Sequence, residues 1–136
     1  MNVDPRILCV DDHPASRAVF KLLLTDMLGY TRVRIMPCSE DLVERLTTDH
    51  VELDVIFLDL SMEPLDGITL LGQFRASMIY REVPIVACTA SAAPDELEEI
   101  RKAGFDGAVA KPIDPRIFQT LVSRILNKEA VWESTM

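Results

Sequence analysis

The sequence predicts an α/β fold, a doubly wound sheet of five parallel strands with helices on both faces. Short continuous apolar runs recur along the 136 residues, and segments with apolar residues at helical spacing alternate with them. No internal repeat or long linker interrupts this alternation. Strands that alternate with helices favour a parallel sheet with right-handed crossovers. The length fits one domain.

The first part of the chain predicts two strands, each followed by a helix. Apolar runs place the strands at ILCV (7–10) and VRIM (33–36). Pro14 suits the first turn of a helix that ends at Gly29. That helix has apolar residues at helical spacing: Phe20, Leu23, Leu24, Met27 and Leu28. Ser39 is predicted to cap the second helix. Acidic residues of its first turn and an apolar stripe follow: Glu40, Asp41, Leu42, Val43 and Leu46.

The second part predicts three more strand–helix units. The strands are the apolar runs VIFL (55–58), VPIVACT (83–89) and GAVA (107–110). PLDG (64–67) predicts a turn before the third helix, which has one face formed by Leu71, Phe74, Arg75 and Met78. The fourth helix begins at Pro94 and ends at Gly104, and the last begins at Pro115. The last helix has apolar residues at helical spacing: Ile117, Phe118, Leu121, Val122 and Ile125. We expect one domain over residues 1–128 and a tail without clear pattern over residues 129–136.

Composition excludes several classes of protein. Apolar residues make up 49% of the chain, which is too many for a disordered protein. Fourteen basic against twenty-two acidic residues give a net charge of −8, which disfavours direct binding to nucleic acid or to anionic membranes. No apolar run is long enough to span a bilayer, and the N-terminus does not resemble a signal peptide. The three widely spaced cysteines, Cys9, Cys38 and Cys88, form no zinc pattern. We therefore expect a cytoplasmic protein.

Polar residues follow four of the predicted strands. Asp11 and Asp12 follow the first, Asp59 the third, Thr89 ends the fourth and Lys111 follows the fifth. In the strand order 2-1-3-4-5, the three aspartates meet at the carboxyl edge of the sheet, where such folds bind ligands. Two carboxylates ~4 Å apart repel by roughly 1–4 kcal/mol, so a proton or a cation must accompany them. Carboxylate oxygens suit Mg²⁺.

These residues lie in segments that resemble a known family. Asp59 precedes Thr89 by 30 residues, and Thr89 precedes Lys111 by 22. The combined pattern is similar to the receiver domain of bacterial two-component response regulators, either as a single-domain, chemotaxis-regulator-like protein or as a domain excised from a longer one. The resemblance spans residues 6–127 and implies a flavodoxin-like topology. The segments that carry it are ILCVDDHP, VIFLDLSMEPLDG, VPIVACTA and GFDGAVAKP.

The resemblance implies a phosphoacceptor rather than an enzyme that acts on external substrates. Asp59 matches the aspartate that takes a phosphoryl group from a histidine kinase or a histidine phosphotransfer protein. Lys111 would pair with the incoming phosphoryl group, and the Thr89 hydroxyl would bond to it. The protein would catalyse only its own phosphorylation and dephosphorylation. A cis peptide bond is implied before Pro112.

The resemblance also implies a metal site and an output surface. Mg²⁺, for which Mn²⁺ would substitute, would be bound directly by Asp12, Asp59 and the backbone carbonyl of Ser61. Asp11 would bind it directly or through water. Phosphorylation would act on a protein partner through the face formed by helix 4, strand 5 and helix 5. Relay to a histidine phosphotransfer protein and homodimerisation are two further outcomes left open.

Three departures from the family pattern bear on the mechanism. Ala108 stands where the family carries its switch aromatic, three residues before the lysine. Glu63 stands where the loop after Asp59 commonly carries proline, and Pro64 follows it. We expect the Glu63 side chain to point into solvent. Ser61 and Ser91 are both small, so neither should shield the phosphoryl group from water.

The missing aromatic predicts an unusual output surface. Ala108 should leave an exposed concavity between helix 4 and strand 5 into which a partner could insert an apolar residue. Helix 4 offers only Leu97 and Ile100 as large apolar anchors. This composition suits a helix that shifts on activation or a solvated helix at the sheet edge. Trp132 falls in the tail, where it is either disordered or packed on a partner.

Three other functions compete with the receiver. A degenerate receiver could serve as a binding module that needs no phosphorylation. An aspartate-nucleophile phosphohydrolase would need a substrate-recognising cap, for which the chain has no spare length. A flavin-binding module of the same topology is disfavoured because the loop DDHPAS (11–16) is acidic where a flavin phosphate would bind. His13 is expected to serve the loop or the helix start rather than the chemistry.

Overall fold

The computed structural model describes residues 4–91, 93–129 and 131–133. Its central feature is a parallel sheet in the order β2-β1-β3-β4-β5-β6. The strands are β1 (Ile7–Val10), β2 (Val33–Met36), β3 (Val55–Asp59), β4 (Ile85–Thr89), β5 (Gly107–Ala110) and β6 (Val131–Glu133). The predicted order of the first five strands is confirmed, and β6 extends the sheet beyond β5.

Five helices connect these strands, as predicted. They are α1 (Pro14–Lys21), α2 (Leu42–Thr48), α3 (Gly67–Ala76), α4 (Pro94–Ala103) and α5 (Pro115–Leu126). The α1 helix continues as a π-helical segment, Leu22–Met27, which the apolar spacing did not indicate. Proline lies in the first turn of α1, α4 and α5, as expected. Gly104 ends α4 with a φ of 110°, a conformation that favours glycine.

Two helix and strand starts differ from prediction. The prediction that Ser39 caps α2 is wrong, because its hydroxyl donates to the Asp41 carboxylate (3.0 Å) and the helix starts at Leu42. Glu40 and Asp41 therefore precede the helix rather than fill its first turn. β4 starts two residues late because Val83 belongs to a turn in which its N–H donates to the Tyr80 carbonyl (3.1 Å).

The sheet has a buried core on each face. Alternate residues of β1 serve opposite cores, since Leu8 and Val10 pack on one side and Ile7 and Cys9 on the other. The first core contains buried residues of α2, α3 and α4, and the second those of α1 and α5. Strands buried on both faces explain the continuous apolar runs in the sequence. All three cysteines are buried and free.

Residues 131–133 form a strand, although the sequence shows no clear pattern over residues 129–136. They form β6, which pairs in parallel with β5 and places Trp132 opposite Ala108. Ala108 is fully buried, and the Trp132 side chain packs against the core that contains it. The prediction of an exposed concavity beside Ala108 is therefore wrong. Residues 134–136 lie outside the described residues.

The helices are short relative to a lipid bilayer. Within the described ranges, none combines the length and the apolar character needed for a membrane span.

Candidate functional site

The carboxyl edge of the sheet gathers most of the predicted site residues. Asp11, Asp59, Thr89 and Lys111 follow or end β1, β3, β4 and β5, as the strand order predicts. Asp11 is fully buried, and only 6% of Asp59 is exposed. An open cleft of about 370 Å³ is lined by Asp59, Thr89 and Lys111 together with neighbouring residues.

Lys111 connects the two buried carboxylates. Its Nζ lies 2.7 Å from Asp11 Oδ2 and 3.3 Å from Asp59 Oδ1, and it donates to Ser16 Oγ at 3.3 Å. The backbone N–H of Lys111 donates to the Thr89 carbonyl at 2.8 Å. This bond holds the backbone that follows β5 against the end of β4. A single ammonium group therefore partly neutralises the acidic cluster.

The buried groups shift one another's pKa values. Burial raises the pKa of Asp59, an effect that the Lys111 charge opposes and the Asp11 charge reinforces, and the net pKa is above the ordinary value. Burial acts in the same direction on Asp11, but hydrogen bonds from Lys111 and from the His13 backbone N–H bring its pKa below the ordinary value. Burial tends to lower the pKa of Lys111, but Asp11 and Asp59 raise it overall. The lysine therefore carries its charge at neutral pH.

One carboxylate oxygen at this edge lacks a hydrogen-bond donor among the described residues. Asp59 Oδ2 is buried and accepts no hydrogen bond from the residues that the structure describes. Asp59 forms a group with Asp11 and His13, in which one possible ligand atom from each lies within 4.8 Å of the others. A buried oxygen without a donor is costly unless a cation or a further ligand accompanies it. The carboxylates of Asp59 and Asp11 together fit a hard divalent ion such as Mg²⁺.

The loop after β3 holds the other predicted metal ligands. Asp12 is half-buried, and its Oδ2 accepts a hydrogen bond from the Glu63 backbone N–H at 3.3 Å. Ser61 is exposed and lines the cleft. Neither belongs to the three-residue group, so metal binding by Asp12 and by the Ser61 carbonyl stays a prediction. The Glu63 residue is exposed, as expected, and the bond between Glu63 and Pro64 is cis.

The Thr89 hydroxyl bonds to the backbone that follows β4. Its Oγ1 donates to the Ser91 carbonyl at 2.9 Å and accepts from the Ser91 N–H at 3.2 Å. These two bonds hold the start of the segment that leads into α4. The Lys111–Pro112 bond is cis, which confirms the expectation for Pro112.

Two contributions to the site were not predicted. His13 precedes α1, as the expected helix-start role requires, but its Nδ1 also lies 3.2 Å from Asp11 Oδ1 and 3.6 Å from Asp59 Oδ2. Gly67 was interpreted as a turn residue, but a Cβ there would lie 2.5 Å from the Asp59 carbonyl oxygen. The α3 N-terminus therefore packs against the backbone of Asp59. The one sequence signal for this contact is the position of Gly67, directly before the apolar pattern of the third helix.

Comparison with known proteins points to one family. The family model of the response regulator receiver domain matches residues 7–124. Chemotaxis protein CheY of Pseudomonas aeruginosa is 29% identical over 123 residues, which cover 90% of this chain and 97% of CheY. The histidine-protein kinase BarA of Shigella flexneri is 30% identical over 118 residues, 87% of this chain but only 12% of BarA.

Solved structures give the same result. The receiver domain of the sensor histidine kinase PA1611 from Pseudomonas aeruginosa, which holds magnesium in its active-site cleft, has a TM-score of 0.73 and 26% identity. The alignment covers 91% of this chain and 98% of that one. A LuxR-family response regulator from Aurantimonas shares the fold, with a TM-score of 0.77, 24% identity, and coverage of 94% and 89%. The chain therefore belongs to the response regulator receiver domain family of two-component signal transduction.

Proposed function

We propose that the chain accepts a phosphoryl group on Asp59 in a Mg²⁺-assisted reaction. The donor is the phosphohistidine of a histidine kinase or of a histidine phosphotransfer protein. An Asp59 oxygen forms a bond to phosphorus while the phosphorus–nitrogen bond of the donor breaks. The imidazole leaves with the electron pair and takes up a proton. The observation that carries this proposal is the buried Asp59 Oδ2, which accepts no hydrogen bond from the described residues, while the Lys111 ammonium group lies 3.3 Å from Oδ1 of the same carboxylate.

The chain's own residues supply positive charge and a hydrogen-bond donor for this transfer. Phosphoryl transfer spreads negative charge over three oxygens, and catalysis depends on positioning and positive charge. Lys111 stands 3.3 Å from Asp59 Oδ1, close enough to pair with a phosphoryl oxygen on the same carboxylate. Thr89 would donate to the phosphoryl group after giving up its bond to Ser91.

The metal ligands proposed are Asp11, Asp12, Asp59 and the Ser61 carbonyl. When bound, Mg²⁺ supplies positive charge that offsets both the carboxylates and the phosphoryl oxygens. The magnesium reported in the PA1611 receiver domain supports the proposal. His13 adds a nitrogen beside Asp11 and Asp59 and is placed to orient these carboxylates.

The decisive experiment is phosphorylation by a small donor. Incubation with Mg²⁺ and acetyl phosphate should add one phosphoryl group, measured by intact mass spectrometry. Asp59→Asn should abolish this increase, because an amide is not a nucleophile at this position. Asp26→Asn, the same change at an exposed aspartate, should leave it unchanged. Unaltered incorporation in Asp59→Asn would sink the assignment, and turnover of an external phosphomonoester would favour a phosphohydrolase.

A further inference from the structure

The outer edge of β5 binds a strand from the chain's own C-terminus. β6 pairs in parallel with β5 through Gly107↔Val131, Ala108↔Trp132 and Val109↔Glu133. Just four residues separate the end of α5 at Leu126 from the start of β6 at Val131. An edge strand presents unpaired backbone groups that recruit another strand. In this molecule, residues 131–133 of the same chain pair with the backbone of β5.

Trp132 is the side chain that anchors this strand. Its side chain is partly buried and packs against the core that contains Ala108, and it lines an open recess together with Phe105 and Ile125. The Arg101 guanidinium, from the last turn of α4, lies 4.5 Å from the ring centroid. A cation over an indole face is attracted to it. Trp132 therefore pairs with β5 through its backbone and contacts α4 through its ring.

The α4 helix also reaches the phosphorylation cleft. Glu96, in its first turn, lines that cleft together with Thr89 and Ser91. Among the described residues of α4, Ile100 alone is buried, so the helix is weakly anchored to the core. One short helix thus contacts the cleft at its N-terminus and Trp132 at its C-terminus.

We propose that the edge of β5 and the C-terminal turn of α4 form a strand-docking site that residues 131–133 occupy, and that occupation of Asp59 weakens this docking. The proposal rests on the function assigned above. Thr89 has one O–H donor, so a hydrogen bond from Thr89 to a phosphoryl group must break the bond that Thr89 donates to the Ser91 carbonyl. The segment leading into α4 is then released, α4 shifts, and Arg101 leaves the Trp132 ring.

Coupling of this kind acts in both directions. If occupation of Asp59 disfavours strand docking, then docking must disfavour occupation by the same factor. Loss of the Trp132 ring should therefore make Asp59 easier to load. Coupling between sites commonly changes affinity by about 5- to 150-fold. This reciprocity gives two independent measurements.

The first measurement uses Trp132, the only tryptophan in the chain. Beryllofluoride, which mimics a phosphoryl group on aspartate, is added with Mg²⁺ to the full chain. We expect the tryptophan emission to shift to longer wavelength and acrylamide quenching to increase as the ring enters water. Fluorine NMR shows separately whether beryllofluoride is bound. Bound ligand with unchanged fluorescence would overturn the docking proposal alone, whereas absence of binding would contradict the proposed function.

The second measurement compares variants by fluorine NMR titration with beryllofluoride. Trp132→Ala should bind it at least about fivefold more tightly than the natural chain. Trp132→Phe, which keeps an aromatic ring, should fall between the two, and Arg101→Ala should also tighten binding. Tyr30→Phe, a change in the opposite core, should leave the affinity unaltered. Equal affinity in Trp132→Ala and the natural chain, with circular dichroism showing both folded, would overturn the coupling.

Discussion

Lys111 holds together charges that would otherwise repel. Asp11 is fully buried and takes its shortest ion-pair contact, 2.7 Å, from this lysine. Removal of one partner from a buried ion pair is costly because the other charge remains without compensation. At the carboxyl edge of the sheet, both stability and the proposed function therefore depend on the Lys111 side chain.

Lys111→Met should weaken both properties. We expect the free energy of unfolding to fall by about 1–3 kcal/mol, because Asp11 keeps its burial and loses a charged donor. Urea denaturation measures this fall, and acetyl phosphate labelling should decrease in parallel. Lys21→Met, at an exposed lysine, is the control and should change neither. Full labelling of Lys111→Met would show that another cation neutralises the phosphoryl group.

Gly67 gives a second prediction at the residue scale. A Cβ at this position would meet the Asp59 carbonyl oxygen at 2.5 Å and Leu60 Cα at 3.0 Å, both backbone atoms that cannot move without moving the acceptor. Gly67→Ala should therefore destabilise the chain by about 1–3 kcal/mol and slow phosphorylation of Asp59.

Gly72→Ala is the matched control for Gly67→Ala. Gly72 lies in the same helix, and a Cβ there would meet nothing within 4 Å. Alanine should stabilise α3 at this exposed position by up to about 1 kcal/mol. Thermal unfolding and acetyl phosphate labelling of both variants test the pair. A Gly67→Ala chain as stable and as reactive as Gly72→Ala would mean that the α3 terminus does not constrain Asp59.

The sequence predicted the residues of the site better than their contacts. The convergence of Asp11, Asp59 and Lys111 follows from strand order, because parallel strands end at one edge. The orientation of Asp12 toward the Glu63 N–H depends on how a loop folds, and residue spacing carries no signal for it. The approach of His13 to Asp59 likewise depends on the turn that starts α1.

At the scale of elements, helix starts depend on single hydrogen bonds. Asp66 caps α3, since its Oδ1 accepts from the Thr69 N–H at 2.8 Å. The bond lowers the pKa of Asp66, so the stabilisation is fully present above the unfolded value of 3.8 and is lost as pH falls through the lower folded value. Asp66→Ala should cost about 1 kcal/mol at neutral pH, measured by urea denaturation.

The pH dependence separates the Asp66 cap from a packing effect. The stability difference between the natural chain and Asp66→Ala should shrink as the pH falls below 3.8. Asp66→Asn retains a capping oxygen that does not titrate, so its advantage over Asp66→Ala should not vary with pH. A pH-independent difference for the natural chain would show that the carboxylate does not act as the cap.

Long patterns predicted elements well, and short ones did not. The continuous apolar runs of β1, β3 and β5 and the repeated apolar positions of α5 each offered several consistent residues. β6 has only three residues, and its pairing depends on the distant edge of β5 rather than on its own composition. Ser39 had the composition of a cap, but the nearby Asp41 and Arg45 side chains engage its hydroxyl.

At the scale of the whole molecule, the sheet separates two tasks. Its faces are buried under apolar helices and stabilise the fold, while its carboxyl edge concentrates acidic groups in a chain of net charge −8. Uncompensated negative charge at that edge lowers the free energy of unfolding, because the carboxylates repel one another. A cation bound to the native state alone must therefore stabilise the entire fold.

Mg²⁺ should raise the melting temperature of the natural chain. At 100 times its dissociation constant, a ligand specific for the native state adds about 2.7 kcal/mol, which equals roughly 10 °C at ~4 °C per kcal/mol. Differential scanning fluorimetry measures the shift, and NaCl at equal ionic strength corrects for screening. Asp12→Ala should lose most of the shift, because Asp12 lies beside the loop that follows Asp59 and is a proposed ligand. Asp26→Ala removes the same charge from an exposed helical position and should keep the shift. Equal responses of Asp12→Ala and Asp26→Ala would place the metal away from this edge.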